Sequence, residues 1–229
     1  MQNEKIKQVG SIKFDAEVHN NIGFNKVISN DKFFLAASTH EGEEEIIIDS
    51  YHKLLDDFPN LKLIIVPRHP ERANSVMEIF KNHKIKAVIK SDLNLEKENS
   101  NAIIINATGK LDSLYDFAEI AFIGGSLFKK YGGHNLIEAA KNKCAIIVGP
   151  YMKNFEDILN LFKNENACVQ IESKSELTNA YKELLNNNEL RINMIDNATE
   201  VVANNRGSSD KQFKYINDLI NYEISNSNN

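Results

Sequence analysis

The stretch Ile120-Ala121-Phe122-Ile123-Gly124-Gly125-Ser126, followed by Gly132-Gly133-His134-Asn135 and then Glu138, decides how the rest of the chain is read. Four apolar residues ending on two glycines read as a buried strand running into a turn. The second glycine pair opens a helix that carries an acid one turn in. A strand, a glycine-rich loop and a helix start, in that order, aim backbone N–H groups and a positive helix end at one point. That point suits an anion, most often a phosphate, and an acid in the first turn can reach sugar hydroxyls. The stretch describes a place to hold a nucleotide or a nucleotide-linked sugar.

The same unit recurs on both sides. Short apolar runs predict strands over 33–37, 61–66, 86–89, 102–105, 120–123, 145–148 and 167–171. Segments with helical spacing lie between most of them, over 43–58, 71–83, 111–118, 135–143 and 155–163. Continuous apolar strands alternating with amphipathic helices predict a parallel sheet covered on both faces, the doubly wound α/β architecture. The last third changes to successive helices over 175–185, 189–203 and 210–224. Residues 1–31 are polar and rich in Asn and Lys, and are expected to form a linker. The main domain is expected over 32–224, with a disordered tail at 225–229.

Composition narrows the classes. A chain of 229 residues with 42% hydrophobic content can bury a large core, and its net charge of −5 argues against wholesale nucleic-acid binding. It leaves room for a local basic pocket. No run approaches the 18 apolar residues that a bilayer span needs, and 1–10 lacks the apolar stretch of a secretory signal. Cys144 and Cys168 sit in apolar runs and are expected to be small core residues of a reduced, cytoplasmic protein. No metal cluster is visible, and no cofactor is expected.

In open parallel sheets ligands bind beyond the carboxyl ends of the strands, so the polar residues there are the candidates. They are Ser38, Thr39, His40 and Glu41 after the first strand, Arg68 and His69 after the second, and Lys110 after the fourth. Gly125 and Ser126 follow the fifth strand, with Gly133, His134, Asn135 and Glu138 further on, and Asn154 follows the sixth. Arg68 suits bidentate recognition of phosphate or carboxylate, and the prolines on either side of Arg68-His69 restrain its backbone. A surface ion pair of this dipeptide with Glu71 is the plain alternative. Ser38 and Thr39 are N-cap candidates for the next helix. The acidic run Glu41, Glu43, Glu44, Glu45 is expected to stabilise that helix's first turn and aid solubility. His19, His52 and His83 are expected at the surface.

Taken in order, six blocks resemble the lipid A Kdo transferases of Gram-negative bacteria. They are Gly10-Ser11-Ile12-Lys13-Phe14-Asp15, Ala37-Ser38-Thr39-His40-Glu41-Gly42-Glu43-Glu44, Val66-Pro67-Arg68-His69-Pro70-Glu71-Arg72, Ala121-Phe122-Ile123-Gly124-Gly125-Ser126-Leu127, Gly132-Gly133-His134-Asn135 with Glu138-Ala139-Ala140, and Gly149-Pro150 with Asn154-Phe155. The resemblance covers about residues 9–205. It implies an inverting glycosyltransferase of the two-domain GT-B type. Such enzymes move 3-deoxy-D-manno-oct-2-ulosonic acid (Kdo) from CMP-Kdo onto a lipid A precursor, in lipopolysaccharide synthesis at the cytoplasmic face of the inner membrane.

By that resemblance the chain corresponds to the C-terminal Rossmann-like donor domain, with 10–15 at the interdomain crossover. Arg68 and His69 would face the donor's phosphate or carboxylate. Gly125, Ser126, Gly133 and His134 would hold the phosphate, with Asn135 beside them, and Glu138 would bind ribose. Ser38, Thr39, His40 and Glu41 would lie near the interdomain cleft, Asn154 would border the nucleotide, and Lys13 would lie close by. Backbone and cationic groups would stand in for a divalent ion. The chain departs from the family at Gly109-Lys110-Leu111, where an acid is usual in place of Lys110. The family's acceptor domain and catalytic base are not represented, so no catalytic base is expected in this chain, which is expected to bind CMP or CMP-Kdo without transferring sugar alone. Two rivals are a GT-B transferase or epimerase using a UDP-sugar, and a non-catalytic nucleotide-binding module.

Overall fold

A computed structural model describes residues 9–16, 33–92, 100–115 and 118–227. The strands are β1 (Phe33–Thr39), β2 (Lys62–Pro67), β3 (Ala87–Lys90), β4 (Ala102–Ile105), β5 (Ile120–Ile123), β6 (Ala145–Val148) and β7 (Val169–Gln170). They form one sheet in the order β3-β4-β2-β1-β5-β6-β7, with every pairing parallel. Each strand lies where its apolar run predicts. The helices are α1 (Glu43–Leu54), α2 (Ala73–Asn82), α3 (Leu111–Tyr115), α4 (Ile137–Lys141), α5 (Glu156–Asn164), α6 (Leu177–Asn186), α7 (Asn188–Asn204) and α8 (Ser208–Ser227).

Strand alternation splits the core in two. Leu35, Ala37, Ile64, Ile103, Ile123 and Val148 face a layer built from α3, α4, α5 and the end of α7. Phe34, Ala36, Ile65, Ile104, Phe122 and Ile147 face α1, α2 and α6. With both faces covered, the central strands can be apolar throughout, which is why their sequences read as unbroken runs. The chain runs from β1 to β2, crosses to the edge strand β3, fills the gap with β4, then returns to add β5, β6 and β7 on the other side. The loops after β1 and β5 therefore diverge and leave a crevice at the carboxyl edge.

Four helices differ in extent from the sequence expectation. α3 and α4 have only five residues each, and α1 stops at Leu54. α8 continues through Ser227, past the start of the expected tail. Most of the expected linker lies outside the described residues, but its 10–15 motif packs on the domain. Phe14 is buried in the core, and Asp15 accepts bonds from the N–H groups of Gly207 and Ser209, both at 2.6 Å. Those are orphan donors at the start of α8, and they hold the Asp15 carboxyl below its usual range, Ser209 contributing most.

Candidate functional site

The tip of β1 sets the geometry. Register runs from Ala37 opposite Val66 to Thr39 opposite Pro67, so Ser38 is an extra residue, with φ at +53°. A bulge of this kind bends the strand end and is uncommon for a residue with a side chain. Gly124 at the tip of β5 donates its N–H to the Ala37 carbonyl at 2.8 Å. A Cβ at Gly124 would collide with the Ser38 and Ala37 carbonyls, so the two strand tips approach as closely as they do only because 124 is glycine.

A cleft of about 450 Å³ opens over these tips. Five loops line it: Ser38 after β1, Arg68 after β2, Gly109 and Asp112 after β4, His134, Asn135 and Glu138 after β5, and Phe155 after β6. Arg68 is fixed through its backbone, whose N–H bonds the Thr39 carbonyl at 2.8 Å, while its side chain stays exposed. Asn135 uses both ends of its amide. Its oxygen accepts the Ile137 N–H at 3.1 Å, and its nitrogen donates to Glu138 at 3.3 Å. Asn135, one residue ahead of the Leu136 N-cap, thereby takes the first N–H of the short α4 and aims Glu138. Burial, and then the nearby Asp112 carboxylate, push the Glu138 carboxyl up. Asp112 was not anticipated; an acid in a helix's first turn normally reads as a solvated one.

His40 and His134 meet at the rim, their Nε2 atoms 2.7 Å apart. His40 also stacks on Tyr131, ring centres 4.0 Å apart, and lies 5.9 Å from the His69 ring. Burial pushes the His40 imidazole down to about 4, reinforced by His134, His69 and the Arg68 and Arg72 guanidiniums. His134 is lowered by the same causes, burial foremost, then Arg68 and His69.

The glycine turn after β5 departs from expectation. Its N–H groups grip an anion, but that anion belongs to the protein. The Glu43 carboxylate accepts from Gly125 N at 2.7 Å, Leu127 N at 2.9 Å and His40 N at 2.9 Å. Glu43 and Glu44 are fully buried, against the expectation that the acidic run only decorates a helix end. Burial raises both carboxyls, while hydrogen bonds pull the other way. Glu44 is held by Thr39 Oγ1 at 3.1 Å and Arg72 at 3.2 Å. The N-cap of α1 is Gly42 in the left-handed region, so neither Ser38 nor Thr39 caps it.

Other candidates are placed away from the cleft. Ser126 is fully buried; its hydroxyl donates to the Ile123 carbonyl at 2.5 Å and accepts the Gly149 N–H at 2.8 Å. Gly125, in the left-handed region, makes room for the His134 ring, and Gly133 donates to the Gly125 carbonyl at 2.7 Å. Asn154 fastens the Gly132 turn through Tyr131 O at 3.1 Å. His69 points outward to Glu71, 3.8 Å away, the plain alternative for that dipeptide. Thr39 is buried, and Glu41 and Lys110 are exposed outside the cleft lining. Lys13 reaches the edge, 4.1 Å over the ring of cleft-lining Phe155. Among the described residues no group of three or more His, Cys, Asp or Glu is placed to hold a metal ion.

Comparison with known proteins adds four matches. Residues 29–201 match the family model of glycosyl transferases group 1. The chain is 35% identical over 212 residues to the 3-deoxy-D-manno-octulosonic acid transferase of Haemophilus influenzae, covering 90% of this chain and 49% of that protein. It is 36% identical over 205 residues to the enzyme of the same name from Rickettsia prowazekii, covering 86% and 44%. The chain thus spans about half the length of the curated relatives it matches. Among solved structures it is similar to the C-terminal CMP-Kdo binding domain of WaaA from Acinetobacter baumannii. The TM-score is 0.71 and the identity 29%, over 76% of this chain and 90% of that one.

Proposed function

The chain belongs to the glycosyl transferases group 1 family, and on that footing we propose that it is the donor-binding part of a Kdo transferase, holding CMP-Kdo in the cleft over the β1 and β5 tips. One observation carries this reading: Arg68 from the loop after β2, and His134 and Glu138 from the connection after β5, line one cleft at the switch point of the sheet. CMP-Kdo is anionic at its phosphodiester and at its sugar carboxylate. Arg68 offers a bidentate fork to one of those groups, and Glu138, aimed by Asn135, offers acceptors to ribose hydroxyls. Charge that develops on departing CMP would be stabilised by the Arg68 guanidinium.

The acceptor would be a lipid A precursor, activated by a base on an acceptor domain at the cytoplasmic face of the inner membrane. The α8 surface supports a second domain: Phe213, Ile216, Leu219 and Ile220 form an exposed stripe at helical spacing that such a domain would cover.

Thermal shift with CMP and UMP tests the reading. A ligand at 100 times its dissociation constant stabilises the fold by about 2.7 kcal/mol. CMP should raise the melting temperature by several degrees and UMP by clearly less. Equal shifts, or none with CMP, count against it.

A further inference from the structure

His40 and His134 lie 94 positions apart in sequence, yet their Nε2 atoms face each other across 2.7 Å. A gap of that length holds one proton, since two N–H groups cannot point at each other across it. The neutral pair already uses one Nε2–H as the bridge. One further proton can be added, at an outer Nδ1, without breaking the bridge; a second cannot be held without separating the rings. His134 lines the cleft beside Arg68, and its Nδ1 makes no hydrogen bond among the described residues.

The surroundings disfavour added charge on this pair while the cleft is empty. Arg68 and His69 approach from the end of β2 and Arg72 from the following turn, and all of them disfavour added positive charge. The Tyr131 ring covers His40. Glu43 is spent on backbone N–H groups, including that of His40. Across the cleft, Asp112 and Glu138 set two carboxyls against the single Arg68 guanidinium. An anionic ligand entering there meets one guanidinium and two carboxyls, so a proton gained on the pair would strengthen its binding.

We propose that the His40–His134 pair is a proton-linked anion receptor: it takes one proton from solvent as the anionic donor settles against Arg68, and His134 Nδ1–H then donates to a donor oxygen. Only N–H bonds change; the bridge between the rings persists and no other reactant is needed. The proposal rests on the donor-site reading and adds the protonation state in which that site binds. The pair is binding machinery, and its mark is proton uptake coupled to binding.

The test is calorimetric titration of the whole chain at pH 6.0 with the methyl ester of CMP, a phosphodiester that does not itself titrate there. Repeating it in buffers of different ionisation enthalpy gives the protons taken up per ligand. The expected uptake is about 0.4 to 1 proton, falling to near zero in His40→Gln and persisting in Glu138→Gln wherever that variant still binds. Binding with buffer-independent heat in the unaltered chain overturns the proposal alone, and requires no variant to fold. Uptake that survives His40→Gln but vanishes in Glu138→Gln also overturns it, by assigning the proton to the carboxyl. Absence of binding overturns the donor-site reading, and this proposal with it.

Discussion

The carboxylate of Glu43 sits 2.7 Å from the backbone nitrogen of Gly125, so the first residue of α1 occupies the turn that ends β5. Glu43 is a built-in counter-ion for backbone donors that would otherwise be buried without partners. Replacing it with Gln turns an amide NH2 toward N–H groups. Glu43→Gln should cost roughly 2–4 kcal/mol of stability, measured by urea unfolding. A loss below about 0.5 kcal/mol would mean that the turn does not depend on this acid.

Arg68 is the converse case. Its side chain is exposed, and the fold uses only its backbone. Arg68→Ala should leave the melting temperature within a degree or two, since surface changes away from special features are usually worth under about 0.5 kcal/mol. CMP affinity should drop about tenfold or more, and Arg68→Lys should restore part of it. Unchanged affinity in Arg68→Ala would remove this residue from the site.

Gly124→Ala asks whether the close approach of the two tips matters. The added methyl meets backbone carbonyls, which cannot rotate away. Expected is a loss of about 1–3 kcal/mol, with weaker CMP binding as Ser38 and the cleft floor shift. Gly109→Ala is the comparison: space is open there, and only its left-handed φ of +68° resists a side chain, so the loss should be smaller. Equal costs at both positions would count against the crowding argument.

Acid should weaken the protein through His40. Its folded pKa, about 4, lies below the ordinary 6.5, so between those values the unfolded chain binds more protons. The stability linked to His40 is complete above 6.5 and is lost as pH falls toward 4. Glu43, Glu44 and Glu138 act in the opposite sense, because their raised carboxyls favour the fold below the ordinary carboxylate pKa and lose that contribution as pH rises through their folded values. Melting temperatures of His40→Gln between pH 4.5 and 6.5 should therefore fall less with acid than those of the unaltered chain. Parallel curves would show that His40 does not carry the effect.

Sequence made the sheet legible because buried parallel strands leave unbroken apolar runs with helices between them. It also identified the turn at Gly124-Gly125 as an anion holder. It could not identify the anion, because the link from Glu43 to Gly125 spans 82 positions, and beside three other acids Glu43 looks like ordinary helix-end charge. The burial of Ser126 is not legible for a related reason: a hydroxyl in a glycine loop suits a ligand and a buried brace equally well. Asp112 was missed because Lys110, where the family pattern breaks, drew attention, although Asp112 is the one that lines the cleft.

Asp15 ties the segment entering the domain to the first turn of α8, bridging 192 and 194 positions with its two oxygens. Two stretches distant in sequence are thus pinned to each other by a single rivet. Loss of that one carboxylate would therefore free both ends together, the 10–15 motif and the beginning of α8 loosening as a unit.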